Sequence, residues 1–257
     1  YYWPLRLNEV KELQMNITNK DGHVGHISQQ FNTELDEILT HLMTMGGLIE
    51  QQLKDAILGL KSGDTSLLQG AIKADDQINI MEMHLDEQCT RIIARRQPAA
   101  SDLRLVIAIS KAVADLERMG DEICRIANSA NKLTKGFPGE GYAQVRHISD
   151  LVATMVSDSL TAFARYDADL AYQVAKRDDE VDQEYKFAMR ALVTQMMEEP
   201  QTIKQSMHII WILRSLERVG DHAQNVAQHL IYLVKGINVS HSSVAQMHAT
   251  LDMDDKH

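Results

Sequence analysis

The sequence predicts an all-α protein built as two tandem, pseudo-symmetric three-helix bundles. Three observations carry that expectation. Apolar residues recur at alternating spacings of four and three, the pattern of helices packed at shallow angles. Aromatic residues make up only 5% of the 257-residue chain and there are only four prolines, which suits stacked helices better than a sandwich or barrel. Most telling, LERMGD at 116–121 returns as LERVGD at 216–221, differing only at Met119 and Val219.

The repetition extends well beyond six residues. The stretch 55–79 (DAILGLKSGDTSLLQGAIKADDQIN) overlays 158–182 (DSLTAFARYDADLAYQVAKRDDEVD) without a gap. Asp55 then pairs with Asp158, Asp64 with Asp167, Leu67 with Leu170, and Asp75-Asp76 with Asp178-Asp179. Small length differences fall around Pro98 and Pro200, where loops tolerate them.

Each unit reads as three helices. The first covers roughly 28–62 in one copy and 143–165 in the other. Asp64 and Asp167 are N-cap candidates for the second helix, which runs to about Arg96 and Glu198. Ser101 and Thr202 are the expected caps of the third helix, each after a proline that breaks the chain. The bundles therefore span 26–135 and 143–236. Between them TKGFPGEGYA at 134–143 has the glycine and proline content of a linker. Residues 237–257 carry no helical stripe and are expected to form a flexible tail. Residues 1–25 look unlike the rest and are expected to be an extension, with Met15 the natural start.

The third helix carries an apolar seam at Leu105, Ile109, Ala112, Leu116, Met119, Ile123, Ile126, Ala130 and Leu133. Its counterpart holds Ile209, Ile212, Leu216, Val219, Ala223, Val226, Leu230 and Leu233. Measured from that seam, Glu117 and Asp121 point roughly 130° and 170° away, on one face and outside the bundle's own core. Glu217 and Asp221 repeat the arrangement. A solvated surface with local salt bridges is the plain account, with Arg118 serving Asp121 or Glu122 and Arg218 serving Asp221. It explains Glu117 less well, because the residues three and four positions away are Val113, Ala114, Gly120 and Asp121.

Gly120 and Gly220 each cost about 1 kcal/mol relative to alanine inside a helix. Either a neighbouring helix approaches closely there or the space admits a ligand beside the carboxylates. The second helix adds Asp75, Glu82 and Asp86, with Asn79 among them, in the first copy, and Asp178 and Asp182 in the second. Carboxylates converging from adjacent helices suit a hard cation; Mg²⁺, Mn²⁺, Ca²⁺ and iron accept oxygen ligands, whereas zinc and copper favour histidine or cysteine. The glutamate and ExxH set of core di-iron bundles is absent. His222 reads as a surface residue, since the first copy has Glu122 in its place. Met43, Met45, Met81, Met83, Met196 and Met197 read as core or interface fillers. Asp102 complements the dipole of the third helix, and the basic run RIIARRQPAASDLR at 91–104 reads as a solvated helix end.

Several function classes are excluded by composition. A formal charge of −10 argues against non-specific nucleic-acid binding. Two cysteines, Cys89 and Cys124, make no disulfide framework and point to a reducing compartment. No apolar run reaches bilayer length. No phosphate loop or nucleophile–base order marks a catalyst, so a metal-dependent phosphohydrolase or ferroxidase using the same acids stands only as the alternative.

The paired DLERxGD and SLERxGD elements, ARRQPAASDLRL, the opening HISQQFNTEL and the ending YLVKG resemble the PhoU family over nearly all of 26–236. That resemblance implies two pseudo-symmetric three-helix bundles, a homodimer and a cytoplasmic location. It implies metal ions held on E(D)xxxD motifs, as iron, zinc, manganese or magnesium. It also implies a non-enzymatic, negative regulator of the phosphate-starvation response. Such an adaptor links the ATPase subunit PstB of the Pst phosphate transporter to the sensor kinase PhoR and limits phosphate uptake; it binds no nucleic acid and meets the membrane only through its partners. Carried over by position, Glu117, Asp121, Glu217 and Asp221 fall on the ExxxD motifs. Asp178 and Asp182 match the acids of the second helix, as do Asp75, Glu82 and Asp86, and Asp102 matches the aspartate of ASDLR. Asn79 departs from the pattern, where an acid would complete DxxxD in the first copy.

Overall fold

The computed structural model describes residues 29–133, 141–240, 242, 246 and 247. The predicted extension at 1–25 and most of the linker lie outside the described residues. Six α-helices follow: α1 Gln29–Ser62, α2 Thr65–Arg96, α3 Ala100–Ala130, α4 Gly141–Arg165, α5 Ala168–Glu198 and α6 Ile203–Lys235. No strand occurs among the described residues. The two predicted aspartate caps are in place. Asp64 Oδ1 accepts from Ser66 N at 2.8 Å, and Asp167 Oδ1 accepts from Leu170 N at 2.9 Å. One residue earlier, Gly63 and Tyr166 occupy matching left-handed positions, at φ 72° and 54°. Glycine adopts that conformation without strain; tyrosine does not.

The caps of the third helices differ from expectation. α3 begins at Ala100, one residue before the predicted cap Ser101, and its N-cap residue Ala99 makes no side-chain cap bond. The Ala99 carbonyl accepts instead, from Asp102 N at 2.9 Å. Thr202 does stand at the start of α6, but its hydroxyl donates back to the Glu199 carbonyl at 2.7 Å. It closes the 3-10 turn Pro200–Thr202 rather than capping α6.

In each unit the three helices touch pairwise, and the predicted seams are buried. The most extensive contact in the molecule joins the units: α3 lies against α6. They run antiparallel, with Asp115 opposite the 222–229 stretch and Glu122 opposite Arg218. Each third helix therefore has three neighbours and buries more than one stripe. Val106, Val113, Ala127, Leu213, Ala227 and Ile231 are all fully buried outside the predicted seam. A smaller contact, with Lys61 bonded to Asp150 at 3.1 Å, joins α1 to α4.

This seam changes two sequence expectations. His222 is not a surface residue: its Nδ1 donates to buried Asp115 Oδ1 at 2.8 Å. His229 Nε2 donates to Asp115 Oδ2 at 2.8 Å, and Asn225 Nδ2 to Oδ1 at 3.1 Å. Arg218 acts on Asp221 through its charge, but its hydrogen bond crosses to Glu122 at 2.8 Å, where Arg125 also bonds. Glu122 is 4% exposed, so it depends on both guanidinium groups. Of the expected tail at 237–257, residues 241, 243–245 and 248–257 lie outside the described residues, and Val239 and Met247 are buried.

Burial alone would raise the Asp115 carboxyl, but the bonds from His222, His229 and Asn225 outweigh it and hold it well below the usual carboxylate range. A depressed folded-state value contributes stability that is present above the unfolded value of 3.8 and lost as pH falls below it. Asp115→Asn is therefore expected to cost roughly 2–3 kcal/mol near neutral pH, and progressively less as pH drops below about 4. Melting curves of both proteins across that range check it; a deficit that does not shrink in acid contradicts the assignment.

Candidate functional site

Eight of the ten carboxylates singled out in the sequence gather in two grooves, one between α2 and α3 and one between α5 and α6. In the first, a Cβ at Gly120 would lie only 3.0 Å from Asp75 Oδ1. The glycine thus makes room for the protein's own carboxylate, reaching over from the neighbouring helix. Asn79 Nδ2 donates to Asp75 Oδ2 at 3.2 Å, while Asp75 Oδ1 and Asn79 Oδ1 are buried without a hydrogen-bond partner. Burial pushes the Asp75 carboxyl up, and the charge of Asp121 adds to it. Burial likewise raises Glu117, with further contributions from Asp121, Glu82 and Asp75 that Arg118 only partly opposes. Asp75, Glu82, Glu117 and Asp121 therefore share one electrostatic field.

The second groove repeats this with more burial. Asp178 is pushed up to about 7, first by burial and then by Asp221, Asp182, Asp179 and Glu217. Gln224 Nε2 donates to its Oδ2 at 2.8 Å. Burial raises Asp221, with Asp182 adding to it, and Glu217 is raised by burial and by Asp221. The two copies are not identical in their counter-charges. Arg214 bonds Glu217 Oε1 at 2.6 Å, whereas Ala114 stands in its place beside Glu117. Lys186 bonds Asp182 at 2.9 Å from the exposed side. Glu217 is nonetheless 8% exposed, and its Oε2 is buried without a partner. The acid pair of the third helix thus lies partly under a neighbouring helix rather than on an open surface.

Two of the ten predicted residues stand apart. Asp86 accepts from Ser110 Oγ at 3.1 Å; Ser110 precedes Glu117 by seven residues, about 10 Å along the helix. Asp102, raised by burial, is roughly 20 Å from Glu117 on the same scale. The other eight gather as four and four.

Beneath each cluster sit one sulfur and one amide, which sequence reasoning missed. In the first unit Gln52 of α1 donates to Cys124 Sγ of α3 at 3.6 Å, and both act on Asp75. In the second, Met155 of α4 lies with its Sδ 3.8 Å from the Cβ position of Gly220, and the amide is Gln224 of α6. Gln52 and Met155 hold matching positions, three before Asp55 and Asp158. Cys124 and Gln224 match as well, three after Asp121 and Asp221. Sulfur and amide have exchanged helices. The register of the repeat, read three residues either side of the shared aspartates, carries the signal. The Cys124 thiol is pushed up to about 12 by burial and then by Asp75.

Among the described residues, no three histidine, cysteine or carboxylate side chains already converge in a ligating arrangement. The donor set nevertheless fits a cation. Each groove holds four carboxylates; burial and neighbouring carboxylates oppose the ionisation of Asp75, Glu117, Asp178, Glu217 and Asp221, and Asp75 Oδ1 and Glu217 Oε2 lack partners. Asp75, Glu82, Glu117 and Asp121 would hold an ion in the first groove, and Asp178, Asp182, Glu217 and Asp221 in the second.

Fold and grooves together define a duplicated helical-bundle scaffold with paired acidic clefts. The PhoU domain matches residues 42–130 and 145–230, and the chain belongs to the PhoU family. It is 55% identical to the "Phosphate-specific transport system accessory protein PhoU homolog" of Pseudomonas aeruginosa over 232 residues, covering 90% of this chain and 96% of that protein. It is 44% identical to the "Phosphate-specific transport system accessory protein PhoU" of Escherichia coli over 216 residues, 84% and 90% of the two chains. The crystal structure of PhoU from Pseudomonas aeruginosa matches with a TM-score of 0.79 at 55% identity, over 80% of this chain and 100% of that one. The phosphate transport system regulatory protein PhoU from Streptococcus pneumoniae matches with a TM-score of 0.75 at 31% identity, over 81% and 99%.

Two predictions follow from the clusters. A raised carboxyl contributes stability that is complete below its unfolded value of 3.8 and lost as pH rises through about 7. In chelator, Asp178→Asn is therefore expected to stabilise the chain by on the order of 1–2 kcal/mol at about pH 8 and to be near neutral at about pH 4. Melting curves at both pH values decide it. The glycines should also separate. At Gly220 a Cβ meets nothing nearer than 3.7 Å, against 3.0 Å at Gly120. Gly220→Ala should gain up to about 1 kcal/mol from helix propensity. Gly120→Ala should gain less or lose, since it displaces Asp75; denaturant titration compares the two directly.

Proposed function

We propose that this protein is a non-enzymatic, metal-binding regulatory adaptor of phosphate homeostasis. The observation that supports the reading best is the duplicated groove: two under-neutralised carboxylate clusters, each with a buried oxygen that has no partner, in a chain of the PhoU family. Relatives named as accessory proteins of the phosphate-specific transport system extend it to a role beside that transporter. In this reading the chain links the transporter ATPase PstB to the sensor kinase PhoR, restrains the phosphate-starvation response and limits uptake. It works in the cytoplasm as a homodimer and reaches the membrane through those partners. Among the described residues no helix is long and apolar enough to cross a membrane.

The physical role of the ion follows from where the acids stand. Each groove has one wall from the second helix and one from the third. A bound divalent ion neutralises the repulsion across the groove and stabilises the helix pose that it bridges, by mass action. Because α3 and α6 are packed on each other, a change of pose in either unit reaches the other through their shared contact, biasing which surface a partner meets.

Two measurements test this. Mn²⁺, Fe²⁺, Zn²⁺ or Mg²⁺ should raise the melting temperature of the chelator-stripped chain, and the Glu117→Ala/Glu217→Ala double variant should lose most of that rise. Pulldown with PstB and with the cytoplasmic region of PhoR, in chelator and in added metal, should retain at least one partner. If neither associates in any condition the adaptor role is wrong. Steady turnover of a phosphoester or of Fe²⁺ that disappears with the acids would replace it with the enzymatic reading.

A further inference from the structure

The exchange of sulfur and amide between the units makes the two clusters chemically unequal. Behind the first lies a thiol, Cys124, one turn after Asp121 on the same face of α3. Besides Asp75 and Gln52, it faces the carbonyls of Ile72 and Ala71 at 3.8 and 4.0 Å. Next to it, Gln52 is 1% exposed, yet its Oε1 has no hydrogen-bond partner. Its Nε2 already bonds the Ala71 carbonyl at 3.0 Å and reaches Cys124 Sγ at 3.6 Å. A buried amide with an unused acceptor, the Cys124 thiol and the Asp75 carboxylate on which both act meet at one point. The second cluster has a thioether and a glutamine amide in these places. That amide is committed to Asp178.

We propose that the two clusters are distinct ion sites: the first recruits Cys124 as a thiolate ligand and takes a thiophilic divalent ion, whereas the second offers oxygen donors and takes a hard one. The proposal rests on the metal-binding reading above and adds ion class and a ligand to it. Soft thiolate selects zinc, cobalt and cadmium, while carboxylate and carbonyl oxygens suit magnesium and manganese. On binding, a bond forms between the ion and Sγ, and the thiol proton leaves to solvent. The thiolate supplies the negative charge that Asn79 withholds from the first cluster.

The test uses the full chain, stripped with chelator and titrated with Co²⁺, with near-ultraviolet absorption recorded and bound metal counted by elemental analysis. A sulfur-to-cobalt charge-transfer band that is lost in Cys124→Ser and kept in Cys89→Ser supports the proposal. Cys124→Gln, which copies the second unit, should weaken Cd²⁺ binding by about tenfold or more and leave Mn²⁺ binding at the second cluster unchanged. Co²⁺ bound in stoichiometric amount without the band, or a band that survives in Cys124→Ser, overturns the thiol assignment and leaves the metal-binding reading standing. A wild-type chain that binds none of Co²⁺, Cd²⁺ and Mn²⁺ overturns both.

Discussion

The packing of α3 on α6 is the constraint from which the rest of the molecule follows. A helix in a lone three-helix bundle has two neighbours and a free face. Here the third helix of each unit has a third neighbour, the third helix of the other, and much of its free face is covered. Polar groups on that face must then be paired, because an unpartnered charge in such a place costs several kcal/mol. Asp115 is held by two histidines and an asparagine, and Glu122 by two arginines, one from each unit. The two halves consequently behave as one body across a charged but satisfied seam.

Set against that seam, the grooves beside it stand out by what they lack. Asp115 and Glu122 draw bonds from cationic or polar partners on both helices. Asp75, Glu117, Asp178 and Asp221 are raised by burial and by one another. Both groups are carboxylates on or beside the same two helices, the seam pair buried and the others half-buried. Their opposite treatment separates charge neutralised from within the fold from charge that burial and neighbouring carboxylates oppose. The divergence between units has the same logic. Arg214 bonds Glu217 in one copy, whereas in the other Ala114 stands in its place and Arg118 only partly offsets the acids around Glu117.

The helices, their order and the duplicated acids were legible in the sequence. Apolar spacing is a local property, and Asp64 and Asp167 cap the helices that they precede through bonds spanning two or three residues. Ser101 failed as a cap because the helix starts one residue before it, at Ala100, with Ala99 in the N-cap position. The reading of Glu117 and Asp121 as an outward pair took one bundle in isolation, and in the folded chain α2 covers part of that face. Sequence likewise gathered Asp86 and Asp102 with the other acids, since periodicity places residues around a helix axis but not along a partner helix.

What the sequence determined by itself was therefore the class of the protein, the two copies, and the identity of the acids that each copy keeps at one spacing. What only the tertiary structure decided was which of those acids meet, that His222 and Arg218 serve the seam, and that Cys124 and Gln52 stand behind the first cluster while Met155 and Gln224 stand behind the second. The physical reason is range. Helix formation and capping act over a few residues and are written in the local order of side chains. The meeting of Asp75 with Gly120, or of Asp115 with His229, depends on how whole helices slide and rotate against each other, which the summed packing of every buried side chain sets at once.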